Sequence, residues 1–368
     1  MASLMPTLTA EASEQNAASS KWPSRILVRE VNWLGDLVIS LPALLAIRRR
    51  FPAARLSILV RMELAGFFDG LSWIDEVIPF VRARGIAGFR SDWRTIKKIR
   101  ARRFDVAVLF PNSFSSALWV ALAGVPRRVG FATDWRSALL TGRMTPDSAA
   151  LSGHQTEYWL NLVRDGLGAD AKTAVCALDP DNQNRERMRQ LIAKRRKRPD
   201  ARLIAIAPAA AYGPAKEWPL KRFAALIDLL AERHHAECVL IGTPAERDRC
   251  GQIARASGTE PLALAGETSV GELIALLSLC DGFAGNDSGA AHLAGALGIP
   301  TVAIFGSTDP FRTGPLGPRV RIIYRALECS PCLARTCRFG HYNCLNQIRP
   351  DEAADALAAL GAFGTSAS

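Results

Sequence analysis

The sequence predicts an α/β protein of two doubly wound parallel sheets, one in each half of the chain. Three observations carry that expectation. From residue 25 onward short β-branched runs alternate with helix-length amphipathic stretches, the same alternation restarts near residue 201, and 368 residues exceed the ~100–200 that one core usually holds.

In the first half the strand runs are RILVREV (25–31), RLSILV (55–60), EVIPF (76–80), DVAVLF (105–110) and RRVGF (127–131), with helices expected at 37–50, 93–102 and 115–123. In the second they are RLIAIAP (202–208), ECVLIG (237–242), PLALAG (261–266), DGFAGN (281–286) and PTVAIFG (300–306), separated by helices at 221–233, 245–256, 270–279 and 290–297. The expected organisation is a first domain at 24–182, a basic interdomain linker at 183–200, a second domain at 201–348, and a helix and tail at 349–368. Residues 1–23, rich in Ala, Ser and Thr and lacking a basic or apolar signal region, are expected to form a disordered tail. In doubly wound sheets ligands bind beyond the carboxyl ends of the strands, so two facing loop edges should frame a cleft.

Lys and Arg total 46 against 35 Asp and Glu, a net charge of +11 that would attract nucleic acid, anionic membrane or phosphorylated small molecules and lipids. No apolar run approaches the ~18 residues of a spanning helix, so a soluble or peripheral protein is expected. The run KRRKR (194–198) is either a phosphate or nucleic-acid contact or a solvated helix end. Of eight cysteines, Cys329, Cys332, Cys337 and Cys344 cluster as C-x2-C-x4-C-x6-C. Four thiolates suit a structural zinc staple, with His341 as a substitute ligand; reduced thiols or a labile disulfide are the alternative.

Two stretches hold the chemistry. In VNWLGDLVISLP (31–42) a strand stops at 32–35, and Asp36 is either a helix cap or a catalytic carboxylate on the cleft rim. Pro42 should kink that helix or loosen its start. In GNDSGAAHLAGALGIPTVAIFG (285–306), Asp287, Ser288 and Gly289 lie between a strand and a helix, where small residues and unsatisfied N–H groups favour a pyrophosphate; Asp287 and Ser288 also qualify as plain caps. His292 is a weaker ligand candidate one turn on. Lys216, in PAAAYGPAKEWP (208–219), could neutralise phosphate, and Glu246, in GTPAERDRC (242–250), could accept from ribose hydroxyls. Neither half contains GxGxxG, a Walker loop, GxSxG or HExxH, which leaves dehydrogenase, P-loop and hydrolase templates without support.

VNWLGDLVISLPA, GPAKEWP, GNDSGAAHLAGALGIPTVAIFGSTDP and ECSPCLARTCRFGHYNCL together resemble, over about residues 25–360, the ADP-heptose:lipopolysaccharide heptosyltransferases of glycosyltransferase family 9, more narrowly the heptosyltransferase II branch. The resemblance implies a GT-B architecture, two Rossmann-like domains with acceptor on the first and nucleotide sugar on the second. It implies an inverting transfer from ADP-heptose to the first heptose of the lipopolysaccharide inner core on Kdo-lipid A. Carried over by motif, Asp36 is the catalytic base and Asn32, Trp33 and Gly35 form its acceptor-side loop. Lys216 faces the donor phosphates, Glu246 the ribose, Asp287 the sugar hydroxyls, and Ser288 and Gly289 the pyrophosphate. The chemistry then needs no cofactor, and zinc would be structural.

Such an acceptor lies on an anionic membrane, so a basic surface including Arg48, Arg49, Arg50 and 94–103 would draw the enzyme to the inner face of the inner membrane of a Gram-negative-type bacterium, in the cytoplasm. One alternative keeps the fold and changes the sugars: a heptosyltransferase I or III, or another nucleotide-sugar transferase. The other is a zinc-containing nucleic-acid adaptor, against which basic runs without interleaved aromatics argue, so no nucleic-acid partner is expected.

Overall fold

A computed structural model of the chain describes residues 22–83, 85–172 and 178–364. The tail expected at 1–23 lies outside the described residues except for Trp22 and Pro23. The first half forms β1 (Arg25–Arg29), α1 (Leu34–Arg50), β2 (Arg55–Arg61), β3 (Glu76–Phe80), α2 (Gly85–Arg102), β4 (Val106–Leu109), α3 (Phe114–Leu122), β5 (Arg127–Phe131), β6 (Gly142–Met144), α4 (Ser148–Ser152) and α5 (Gln155–Leu167). The second forms α6 (Asn182–Arg195), β7 (Arg202–Ala207), α7 (Leu220–His234), β8 (Ala236–Leu240), α8 (Arg247–Ala256), β9 (Leu262–Ala263), α9 (Val270–Ser278), β10 (Gly282–Asn286), α10 (Gly289–Ala296), β11 (Thr301–Phe305), α11 (Pro310–Thr313), β12 (Val320–Tyr324), α12 (Asn343–Asn346) and α13 (Pro350–Ala359).

Each half is a six-stranded sheet, ordered β3-β2-β1-β4-β5-β6 and β12-β11-β10-β7-β8-β9. All the pairings are parallel. Strands β4, β10 and β11 are buried along their whole length, as expected where helices cover both faces. The strand order reverses between β1 and β4 in one sheet and between β7 and β10 in the other. These are the switch points where a crevice opens beyond the strand ends. The loop after β1 leads to Asp36, the loop after β7 to Lys216, and the end of β10 to Asp287.

Local expectations shift at several elements. Helix α1 runs uninterrupted from Leu34 through Pro42, which is buried with Leu37, Leu41 and Leu44. Apolar burial there outweighs the hydrogen bond a proline forfeits, and the expected loose start is replaced by a helix that begins at Leu34. Helix α2 begins eight residues before its expected start, because Gly85 and Gly88 carry no apolar period. The strand expected at 261–266 shortens to the two residues of β9, whereas β6, β12 and α5 were not anticipated.

The expected basic linker is mostly a packed helix. Helix α6 buries Met188 and Ile192 in the core cluster that also contains Ile274 and Leu277 of α9, and the cations after it are paired. Arg195 meets Glu267 at 2.8 Å, Arg196 meets the buried Glu237 at 3.0 Å, and Lys197 pairs with Glu260. KRRKR is therefore a solvated helix end at Lys194, Arg195 and Lys197, all exposed, with three of its five cations paired by carboxylates from other elements. Glu237→Ala is expected to destabilise the fold by about 3 kcal/mol, because it strands Arg196 with its charge mostly buried. Chemical denaturation checks this, and an unchanged midpoint would reject the assignment.

Candidate active site

Helix α1 enters the site with no side-chain cap. Its N-cap is Trp33, in extended backbone, and Leu37 N–H donates to the Trp33 carbonyl at 3.0 Å. Asp36 therefore lies in the first turn, where the helix dipole favours a carboxylate. The capping explanation for Asp36 is removed. Among the described residues its carboxylate has no hydrogen-bond or ion-pair partner. Burial pushes its pKa up to about 6; the Lys216 ammonium pulls it down and the Asp287 carboxylate pushes it up further. Those influences come from the other half of the molecule.

Lys216 and Asp287 pair with each other. Lys216 Nζ lies 2.5 Å from Asp287 Oδ2, which also accepts a 2.5 Å hydrogen bond from Thr308 Oγ1. Asp287 is buried, and the ammonium lies 5.0 Å from the ring centre of Tyr212. Asn286, also buried, accepts from Trp218 N–H at 3.0 Å and donates to the Pro208 carbonyl at 2.8 Å. It thus ties both ends of the Lys216 loop to the end of β10. Sequence reasoning did not single out Asn286 or Thr308, although both lie in the GNDSG…GSTDP block; their roles depend on which loops β10 and β11 meet.

The amino end of α10 has no side-chain cap. Ser288 is its N-cap but its hydroxyl caps nothing, and the buried Ser288 Oγ has no partner among the described residues. The two helix starts abut. A Cβ added at Gly289 would lie 2.7 Å from Leu34 Cβ, and one at Gly35 2.9 Å from His292 Cδ2. His292 is buried, which pushes its pKa down to about 4, so the imidazole packed against Gly35 is neutral. Gly289→Ala is expected to cost about 1–3 kcal/mol, as overpacking does, and to lower turnover by holding the halves apart. Thermal melting alongside an activity assay checks it.

Glu246 stands apart from this group. Its Oε2 accepts from Thr243 N–H at 2.7 Å in a capping box that shapes the loop after β8. Beneath Asp36 lies a carboxyl the sequence reading passed over. Glu30 is fully buried, one oxygen accepting from Val31 N–H at 2.9 Å and Ser40 Oγ at 3.3 Å, the other without a partner. Burial pushes its pKa to about 8, and the nearby Asp36 carboxylate adds to the shift. Glu30 is accordingly a neutral acid at pH 7 under the rim. On the same loop Asn32 accepts from the Arg29 guanidinium at 2.8 Å, and Trp33 is exposed.

Cys329, Cys332, Cys337 and Cys344 line one small cavity with His341 and Ser307, and all four are free thiols. Among the described residues, however, no group of three or more His, Cys, Asp and Glu is placed to hold a metal ion. The loop grips the Lys216 loop through backbone. Tyr212 Oη donates to the Leu333 carbonyl at 2.5 Å and Ala215 N–H to the Arg335 carbonyl at 3.0 Å. Gly213, at φ +144°, leaves room for that carbonyl, which a Cβ would approach to 2.7 Å.

A family profile described as glycosyltransferase family 9 (heptosyltransferase) matches residues 92–343, more than half of the chain. Lipopolysaccharide heptosyltransferase 2 of Escherichia coli K12 is 28% identical over 343 residues, covering 91% of this chain and 98% of that protein. Lipopolysaccharide heptosyltransferase 1 of Pseudomonas aeruginosa is 25% identical, covering 86% and 88%. The solved structure of E. coli ADP-heptose lps heptosyltransferase II superposes with a TM-score of 0.78 at 25% identity, over 91% of this chain and 98% of that one.

Proposed function

Since the chain belongs to glycosyltransferase family 9, the heptosyltransferases, with the two-sheet GT-B arrangement, we propose that it moves heptose from ADP-heptose to the first heptose of a lipid-linked lipopolysaccharide inner core. The observation that carries this reading is the placement of the unpaired Asp36 carboxylate, on the first half, against the Lys216–Asp287 pair on the second. A base and a diphosphate-binding cation then face each other across the junction.

In this reaction an acceptor hydroxyl oxygen bonds to the anomeric carbon of the donor while that carbon's bond to the diphosphate oxygen breaks. The electron pair leaves with ADP, and Asp36 takes the hydroxyl proton as its oxygen gains positive charge. Attack opposite the leaving group inverts the anomeric centre. Lys216 and the N–H groups at the start of α10 stabilise the charge that develops on the diphosphate, in a setting where burial strengthens each interaction. With donor bound, Lys216 turns from Asp287 toward phosphate, and the freed Asp287 accepts from sugar hydroxyls. Glu246, free on its other oxygen to accept from a ribose, is assigned the nucleoside.

The test is to incubate the protein with ADP-heptose and either Kdo2-lipid A or its mono-heptosylated form, and to read products by mass. A heptose added to the mono-heptosylated acceptor supports the reading. Addition only to Kdo2-lipid A would favour the second reading, a heptosyltransferase I acceptor, for which the match to the P. aeruginosa protein speaks.

A further inference from the structure

The first sheet exposes large apolar side chains along its carboxyl edge. Trp33 follows β1, Met62 follows β2, Val81 follows β3, Phe114 follows β4 and Trp135, 96% exposed, follows β5. The densest group is on α2, which leaves β3 at this same edge. Ile86 is 78% exposed, Phe89 73% and Trp93 43%, spaced three and four residues apart on one stripe. That stripe borders the side of α2 that packs inward, where Gly88, Thr95, Ile96 and Ile99 are buried, and Ile96 continues it three residues beyond Trp93.

The same outward face is cationic. Arg90, Arg94 and Lys97 are exposed between and beside the apolar residues, Lys97 Nζ lies 5.9 Å from the Trp93 ring centre, and Arg82 is exposed just before the helix. Among the described residues Arg90 and Arg94 form no ion pair or hydrogen bond. Several other cations expected to make a basic surface are engaged, whereas the side chains of Arg49 and Arg103 are exposed and without a partner among the described residues. Arg48 bonds the Trp73 and Ala54 carbonyls and pairs with Asp75, Arg50 donates to the Gly168 carbonyl and stacks on Trp22, and Arg102 pairs with Glu76. Free positive charge thus stands beside the exposed Ile, Phe and Trp of α2, as well as at Arg49 and Arg103. A helix with a buried inner side and an outer side of apolar residues flanked by Arg and Lys matches an interfacial membrane helix. No helix among the described residues is long and apolar enough to cross a membrane.

We propose that the outer face of α2, with Ile86, Phe89 and Trp93 inserted and Arg90, Arg94 and Lys97 on the headgroups, docks the first half of the protein on an anionic lipid bilayer. The inference rests on the lipid-linked acceptor proposed above and adds where the protein meets the surface that carries it. Docked in this way, the carboxyl edge holding Asp36 lies close to the bilayer from which the acceptor sugar projects. Charge complementarity selects the bilayer over a second copy of the chain, because two such faces would oppose like charges.

Vesicle co-sedimentation tests it, comparing vesicles of phosphatidylcholine alone with vesicles containing phosphatidylglycerol. The full chain should bind the anionic vesicles at least ~tenfold more tightly, and high salt should weaken that binding. The triple variant I86S/F89S/W93S, whose replaced side chains lie outside the core, should keep its melting temperature and its turnover on a delipidated soluble acceptor. It should lose at least ~tenfold in vesicle affinity and in turnover on vesicle-embedded acceptor. R90Q/R94Q should remove much of the preference for anionic vesicles. Equal vesicle binding by the triple variant and the parent, or none by the parent, overturns the proposal while soluble transfer still supports the transferase reading. A concentration-dependent dimer abolished by the triple variant, without vesicle binding, also overturns it. Vesicle binding with no transfer to any acceptor leaves the docking face standing and rejects the transferase assignment instead.

Discussion

Asp36→Asn is expected to lower kcat by about 10²- to 10⁴-fold, the range of a lost general base, while stabilisation of the protein by ADP stays near the parent value. For the parent, kcat/KM should rise with pH through about 6 as the free enzyme's Asp36 ionises, and this limb should vanish in the Asn variant. A limb that persists in Asp36→Asn would assign it to another group, and near-parental turnover would remove Asp36 from the chemistry.

Stability should move the other way. The folded pKa of Asp36 is raised from 3.8 to about 6, so folding holds the proton more tightly than the unfolded chain does. The associated stabilisation is fully present below about pH 4 and lost as pH rises through about 6, which leaves the charged carboxylate costing up to about 3 kcal/mol at pH 8. Asp36→Asn should therefore melt higher than the parent at pH 8 and about equally near pH 4. A carboxylate kept half-buried without a partner is the mark of a group held for reaction rather than for folding.

Lys216→Ala should weaken donor binding and lower kcat/KM by about 10²- to 10³-fold, because a cation aimed at the leaving diphosphate is lost. It should also destabilise the protein by about 3 kcal/mol, since Asp287, 4% exposed, would be left charged without its ion-pair partner. The double variant Lys216→Ala with Asp287→Asn separates the two effects. Stability should largely return because the stranded charge is gone, and activity should not. Unchanged donor affinity in Lys216→Ala, measured by calorimetry with ADP-heptose, would reject the phosphate contact and leave only the structural pair.

Much of this was legible in the chain. The alternation of strand and helix is a local pattern, and so is the position of Asp36, Lys216 and Asp287 at strand ends. The strand–helix alternation announces two doubly wound sheets before any long-range contact is known. Other features depend on partners distant in sequence. KRRKR reads as a solvated end or an anion contact, and only the fold shows Glu237, Glu260 and Glu267 pairing with three of its five cations. The four clustered cysteines read by spacing as either a zinc staple or reduced thiols, and only the fold shows that their loop braces Tyr212 and Ala215.

Fold class and family are written in short-range periodicity and in motifs a few residues long, and the same motifs offer Asp36, Lys216 and Asp287 as candidates for the reacting centre. Tertiary structure alone decided that Asp36 is a first-turn carboxylate with no partner rather than a cap, that Lys216 and Asp287 are one buried pair, and that Glu30 is a neutral acid beneath them. Burial and the distance between charges from different strands set those states, and neither quantity exists until the loop edges of the two halves are packed together.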